Sequence, residues 1–98
     1  MNQPSTAKPK KPKFPLGALF ITPGAQEVLS PEEIQTALSR HGTGDGGEVC
    51  AEDQQENELS LRQGFRLLSA YTSGQGEKFW IISEADRSST TVLLPAEY

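Results

Sequence analysis

Apolar positions follow a helical rhythm in the first two thirds of the chain and a strand rhythm in the last third. Ile34, Ala37, Leu38 and His41 recur at i, i+3, i+4 and i+7, which places all four on one face of a helix. Ser30-Pro31-Glu32-Glu33 predicts where that helix starts. The Ser30 hydroxyl can accept from the Glu33 amide while the Glu33 carboxylate reaches back, and Pro31 sits where no donor is missed. Gly42 is the expected residue just past its end. Upstream, the apolar run Leu16 to Ile21 reads as a short buried strand. Thr22-Pro23-Gly24 then opens a short helix to about Leu29, with Thr22 as its cap.

Residues 42–47, GTGDGG, carry four glycines in six positions and read as the most flexible stretch of the body. A helix is predicted from Ala51 to Gln63, closed by Gly64. It rests on propensity and on the acids Glu52, Asp53 and Glu56 near its positive end, because its apolar stripe is poor. Phe65 to Thr72, Lys78 to Glu84 and Ser89 to Leu94 are rich in β-branched, aromatic and aliphatic residues and are separated by turn sequences. On the middle strand Phe79 and Ile81 share one face, Trp80 and Ile82 the other. Trp80 is expected in the packed core, and the second face is expected under the amino-terminal segment or a second copy. The predicted fold class is α+β: two or three short helices packed on a three- to four-stranded antiparallel sheet ending in a β-meander.

Ninety-eight residues make one domain. No apolar run approaches the roughly 18 residues needed to span a bilayer. The start, MNQPSTAKPKKPK, lacks the apolar segment of a secretory signal. Cys50 is the single cysteine, so no intramolecular disulfide can form, and a cytoplasmic location is the expectation. Net charge is −4, but it is unevenly spread. Lys8, Lys10, Lys11 and Lys13 put +4 on a proline-rich start, and the other five bases face all thirteen acids, leaving −8 on the remainder. Residues 1–13 are expected to be a disordered tail and residues 14–98 a single domain. The four lysines could make a weak, salt-sensitive contact with an anion such as nucleic acid; the acidic body opposes one. No membrane partner is expected.

Several strings in order resemble a known family. They are Ile21-Thr22-Pro23-Gly24-Ala25, Arg40-His41 before Gly44-Asp45, Asn57-Glu58, Leu68-Ser69-Ala70-Tyr71, Trp80-Ile81-Ile82, Glu84-Ala85-Asp86-Arg87-Ser88, and Thr90-Thr91-Val92-Leu93-Leu94-Pro95 through Glu97-Tyr98. Together, over residues 14–98, they resemble a family of small uncharacterised bacterial proteins labelled plasmid-related and carried on mobile elements. The resemblance implies a mobile-element accessory role and no particular chemistry. Members of that family tend to carry Trp after the Gly-Asp pair, where this chain has Gly46.

Candidate chemistry is sparse. His41 is the only histidine, at a helix end and on its apolar face. A packing role there competes with titration near neutrality. Asp86-Arg87-Ser88-Ser89-Thr90-Thr91 could present an anion-binding fork and hydroxyls, or form a turn in which Arg87 pairs with Glu84. Asp45, Glu48, Glu52, Asp53 and Glu56 lack calcium-loop spacing and read as solvated surface, so no metal is expected. The glycines match no nucleotide motif, and no cofactor is expected. Cys50 has no neighbour that would make it a metal ligand or activate its thiol.

The leading expectation is a protein that acts by binding a host or plasmid protein, with a homodimer through the sheet as a further partner class. The alternative is a small metal-independent ribonuclease, by analogy with barnase, EndoU and RelE-like arrangements. There His41 would be the acid or base, Arg87 would face the phosphate, and Thr90 or Thr91 would donate hydrogen bonds.

Overall fold

Ser30 and Glu33 form the capping box that their spacing predicts. The Glu33 amide donates to Ser30 Oγ and the Ser30 amide donates to Glu33 Oε1, each at 3.1 Å. The computed structural model, which describes residues 13–49 and 51–98, runs β1 (Ala18–Ile21), α1 (Pro23–Val28), α2 (Pro31–Gly42), α3 (Ala51–Gln63), β2 (Leu67–Thr72), β3 (Lys78–Ser83) and β4 (Ser89–Leu93). A 3₁₀ turn, Pro95–Glu97, closes the chain. Thr22 caps α1 through the Ala25 amide, as expected. Gly42 is the last residue of α2, and the left-handed position beyond it belongs to Gly44, at φ 86°. The expected tail and Cys50 lie outside the described residues, apart from Lys13, whose amide donates to Gly42 O at 2.7 Å. No described helix is long and apolar enough to cross a membrane.

The fold is α+β, with a four-stranded sheet in the order β1-β4-β3-β2. β2 pairs antiparallel with β3, and β3 with β4, but β1 runs parallel to β4. The sheet is therefore mixed, which corrects the expectation of an antiparallel one. A parallel neighbour needs a long crossover, here supplied by everything from α1 to β3. The apolar run at 18–21 carried no signal of which strand it would join. β1 is also exposed along its whole length, where a buried strand was expected.

One face of the sheet packs on the helices. Tyr71, Phe79, Ile81 and Val92 meet Ala25, Leu29, Ile34 and Ala37 in a single buried cluster. Full burial of the larger aliphatic and phenyl side chains among these contributes roughly 1.5–3 kcal/mol each. Trp80 lies on the opposite face and is half-buried, so the core aromatics are Phe79 and Tyr71 instead. The Trp80 ring meets the Tyr98 ring edge-on at 5.7 Å, and the closing turn thus covers part of this second face.

Candidate functional site

His41 is 2% exposed and sits under the sheet in a chain of hydroxyls. Ser69 Oγ lies 2.6 Å from Nδ1, and Ser83 Oγ lies 2.9 Å from Nε2. Ser83 Oγ in turn meets Thr90 Oγ1 at 2.6 Å, and Thr90 donates to Leu16 O at 2.7 Å. The carbonyl can only accept, so the direction of each bond between it and Nε2 follows. Thr90 accepts from Ser83, and Ser83 accepts from Nε2–H. Burial keeps the ring neutral, so Nδ1 accepts from Ser69 and both nitrogens are occupied. Burial lowers its pKa from 6.5 to about 4, and the positive charge of Arg87 acts in the same direction.

Arg87 is as fully engaged. Its Nη1 donates to Phe65 O, Glu84 O and Ala85 O, and its Nη2 to Ser60 O, tying the end of α3 to the β3–β4 turn. The Glu84 carboxylate, which the sequence paired with Arg87, lies 3.5 Å from Arg66 instead. Between His41 and Arg87 stands Phe14, with its ring 5.4 Å from the imidazole and 5.3 Å from the guanidinium carbon. The structure therefore brings His41 and Arg87 together on a packed phenylalanine and joins Thr90 to His41 through Ser83. Thr91, next to Thr90 on the strand, points to the other face of the sheet. Acid–base work on a phosphate needs a histidine nitrogen and an arginine fork turned toward substrate. Here the nitrogens meet serines and the fork meets backbone carbonyls. Of the four lysines, Lys8, Lys10 and Lys11 lie outside the described residues, and Lys13 is exposed.

The two edges of the sheet differ sharply. At the β2 edge, Asn57 of α3 pairs with the backbone of Leu68. Two residues on, the Ala70 amide donates to Gly46 O at 3.0 Å, and the Glu48 amide donates to Ala70 O at 2.7 Å. Thr72 Oγ1 then donates to Glu48 Oε1 at 2.8 Å. The glycine-rich stretch that reads as flexible is the cover of this edge. Gly47 stands at φ 69°, and a Cβ on it would lie 2.2 Å from Ala70 O, so only glycine allows the approach.

At the β1 edge no described residue provides such a cover. Ala18 and Thr22 amides point inward to Ser88 O and Val92 O. Strand alternation therefore turns the amides and carbonyls of Leu19 and Ile21 outward. Their side chains are 53% and 40% exposed on the helix-side face, and Phe20 is 55% exposed on the other. An open edge carrying three large apolar residues and no charge is a surface ready to pair with another strand. The sequence contains these residues, but nothing in their spacing says that they lie at an edge.

A groove of about 260 Å³ also opens between α2 and the β2–β3 turn. Two of its three charged lining residues are already engaged: Arg40 bonds Asp45 at 2.8 Å and lies over the Tyr71 ring, and Glu33 accepts from the Gly74 amide, while Glu32 is exposed. Gly46 is buried, and a Cβ there would come within 2.9 Å of Val49 Cγ2 and 3.0 Å of Gln54 Oε1, so a side chain at this position would have to push those two side chains aside. In comparisons with protein-family models, curated proteins and solved structures, no family, curated protein or structure matches this chain.

Proposed function

We propose that this chain is a non-enzymatic interaction protein that binds another protein by strand addition at the open edge of β1. The observation that carries the reading is the asymmetry of the sheet: Asn57 and the 46–48 loop cover one edge, and Leu19, Phe20 and Ile21 stand exposed on the other. Main-chain hydrogen bonds would supply affinity there, and pockets beside alternate side chains would supply selectivity. In the mobile-element role that the sequence resemblance implies, the partner classes are a host or plasmid protein in the cytoplasm and a second copy that pairs through the sheet. The lysines at 8, 10, 11 and 13 would add a salt-sensitive contact to an anionic surface.

The test is a photo-crosslinking amino acid placed at Phe20, with one at exposed Gln35 of α2 as the control. The expected result is a discrete protein adduct from position 20 that Leu19→Lys abolishes and position 35 does not give. Equal adducts from both positions, or none from position 20, would contradict the reading.

A further inference from the structure

We infer that the strand added at β1 is β1 of a second copy, running antiparallel about a two-fold axis through Phe20. This rests on the reading of β1 as the interaction edge and names its occupant. The outward polar groups of β1 belong to Leu19 and Ile21, one residue to either side of Phe20. In an antiparallel pair centred on Phe20, Leu19 of one copy faces Ile21 of the other. Each such pair exchanges both of its N–H···O bonds, so all four outward donors and four outward acceptors find partners. Phe20 then faces its own symmetry mate in the close, non-hydrogen-bonded position, with the two rings side by side on the face away from the helices. The strand is self-complementary in backbone and in side chains.

The other edge explains why such pairing would stop at two copies. A sheet with two open edges could extend without limit. Here Asn57 and the 46–48 loop occupy the β2 edge, so only the β1 edge can accept a strand. The product is a closed, isologous dimer with one continuous eight-stranded sheet, capped at both ends by the same covers. Residues 1–12 are a poorer occupant of the edge. They contain Pro4, Pro9 and Pro12 and three lysines, so they offer an interrupted row of donors and no apolar run to match Leu19, Phe20 and Ile21. A four-residue edge lies below the roughly 800 Å² per partner of stable complexes, so association belongs to the weak class.

The experiment measures the mass of the full chain by sedimentation from about 10 μM to about 1 mM, a range suited to weak complexes. It compares wild type with Phe20→Asp, Phe20→Lys and an equimolar mixture of the two. Phe20 is more than half exposed, so both variants should fold, and thermal melts check that. The wild type should move from 10.7 kDa toward twice that value as concentration rises. Each variant should stay at the monomer mass, because two like charges would face each other on the axis. The mixture should regain the dimer. Raised salt should leave the wild-type dimer in place, whereas a contact made by the lysine tail would dissociate. A wild type that stays monomeric throughout, or variants that dimerise as well as wild type, would overturn the proposal. If the wild type is monomeric and position 20 still crosslinks to a different protein, the dimer fails and the edge reading stands. If neither is seen, both fail.

Discussion

Asn57 pairs with Leu68 as a neighbouring strand would, using its side chain in place of a backbone. Its Oδ1 accepts from the Leu68 amide at 3.1 Å, and its Nδ2 donates to Leu68 O at 2.6 Å. A carboxamide carries one acceptor and two donors in a plane, so it can satisfy both groups of an edge residue at once. Asn57→Ala leaves that amide and carbonyl without partners; full burial would cost roughly 1–3 kcal/mol per group, and the partial burial of Leu68 places the expected loss at the low end of that range. Asn57→Asp should keep the bond from the amide and lose the one to the carbonyl. Denaturant unfolding of the three proteins checks the order wild type, then Asp, then Ala.

Gly47→Ala tests the other half of the same cover. The added Cβ would meet Ala70 O, and the left-handed backbone at Gly47 disfavours any side chain. The bridge between Gly47 and Ala70 should open, and the Ala70 amide should lose its protection from hydrogen exchange. Unchanged protection at Ala70 would show that the loop does not hold the edge.

Arg87 joins four backbone carbonyls from two parts of the chain, so its removal should loosen both. Hydrogen bonds from a charged group contribute about 1.5–3 kcal/mol each in favourable cases, and partial exposure of this site places the expected loss for Arg87→Ala at roughly 2–4 kcal/mol in total. Arg87→Lys should rescue little, because a point charge cannot span the carbonyls that a planar fork reaches. Melting curves that match for wild type and Arg87→Lys would contradict this.

His41 should make stability depend on pH above the carboxylate range. Its folded pKa is about 4 against 6.5 in the unfolded chain, so between those values the unfolded chain binds more protons. Stability then rises with pH across that window and falls as pH drops through it, by about 3 kcal/mol in all. Glu33 and Glu97, held below 4.5 chiefly by the Gly74 amide and the Thr22 hydroxyl respectively, lose their stabilising effect only at lower pH. His41→Gln should be less stable than wild type at about pH 7 and should lack the slope from about pH 6.5 to about pH 4.5. An equal slope in both proteins would show that another group titrates there.

Trp80 and Phe79, neighbours on β3, should respond differently to truncation. Phe79 is 2% exposed within the helix-facing cluster, and Phe79→Ala should cost roughly 3–5 kcal/mol. Trp80 is half-buried against Tyr98, so Trp80→Ala should cost less than Phe79→Ala in the same unfolding measurement.

Much of the fold was legible because local rules and tertiary structure agree. The Ser30–Glu33 box, the Thr22 cap and the 51–63 helix closed by Gly64 each follow from chemistry within a few residues. What the sequence hid depends on distant contacts. The parallel pairing of β1 with β4 joins positions about seventy residues apart, and the Asn57 pairing sits on a helix whose inward face is polar. That polar face is why α3 showed a poor apolar stripe: Gln54, Asn57 and Leu61 face the body at i, i+3 and i+7. His41 was placed correctly on the apolar face of α2. Its partners are two serines on separate strands, and no local pattern could give them.

The edges of the sheet carry the functional account, and amide hydrogen exchange reads them residue by residue. At the lowest usable concentration of the full chain, Leu68 and Ala70 should exchange slowly under their cover, and Phe20 should be slowed by β4. Leu19 and Ile21 should exchange fast. Raising the concentration, or adding a bound partner, should slow those two amides selectively. Leu19 and Ile21 as protected as Phe20 in the dilute protein would mean that the edge is already covered, and the account of β1 as an interaction surface would be contradicted.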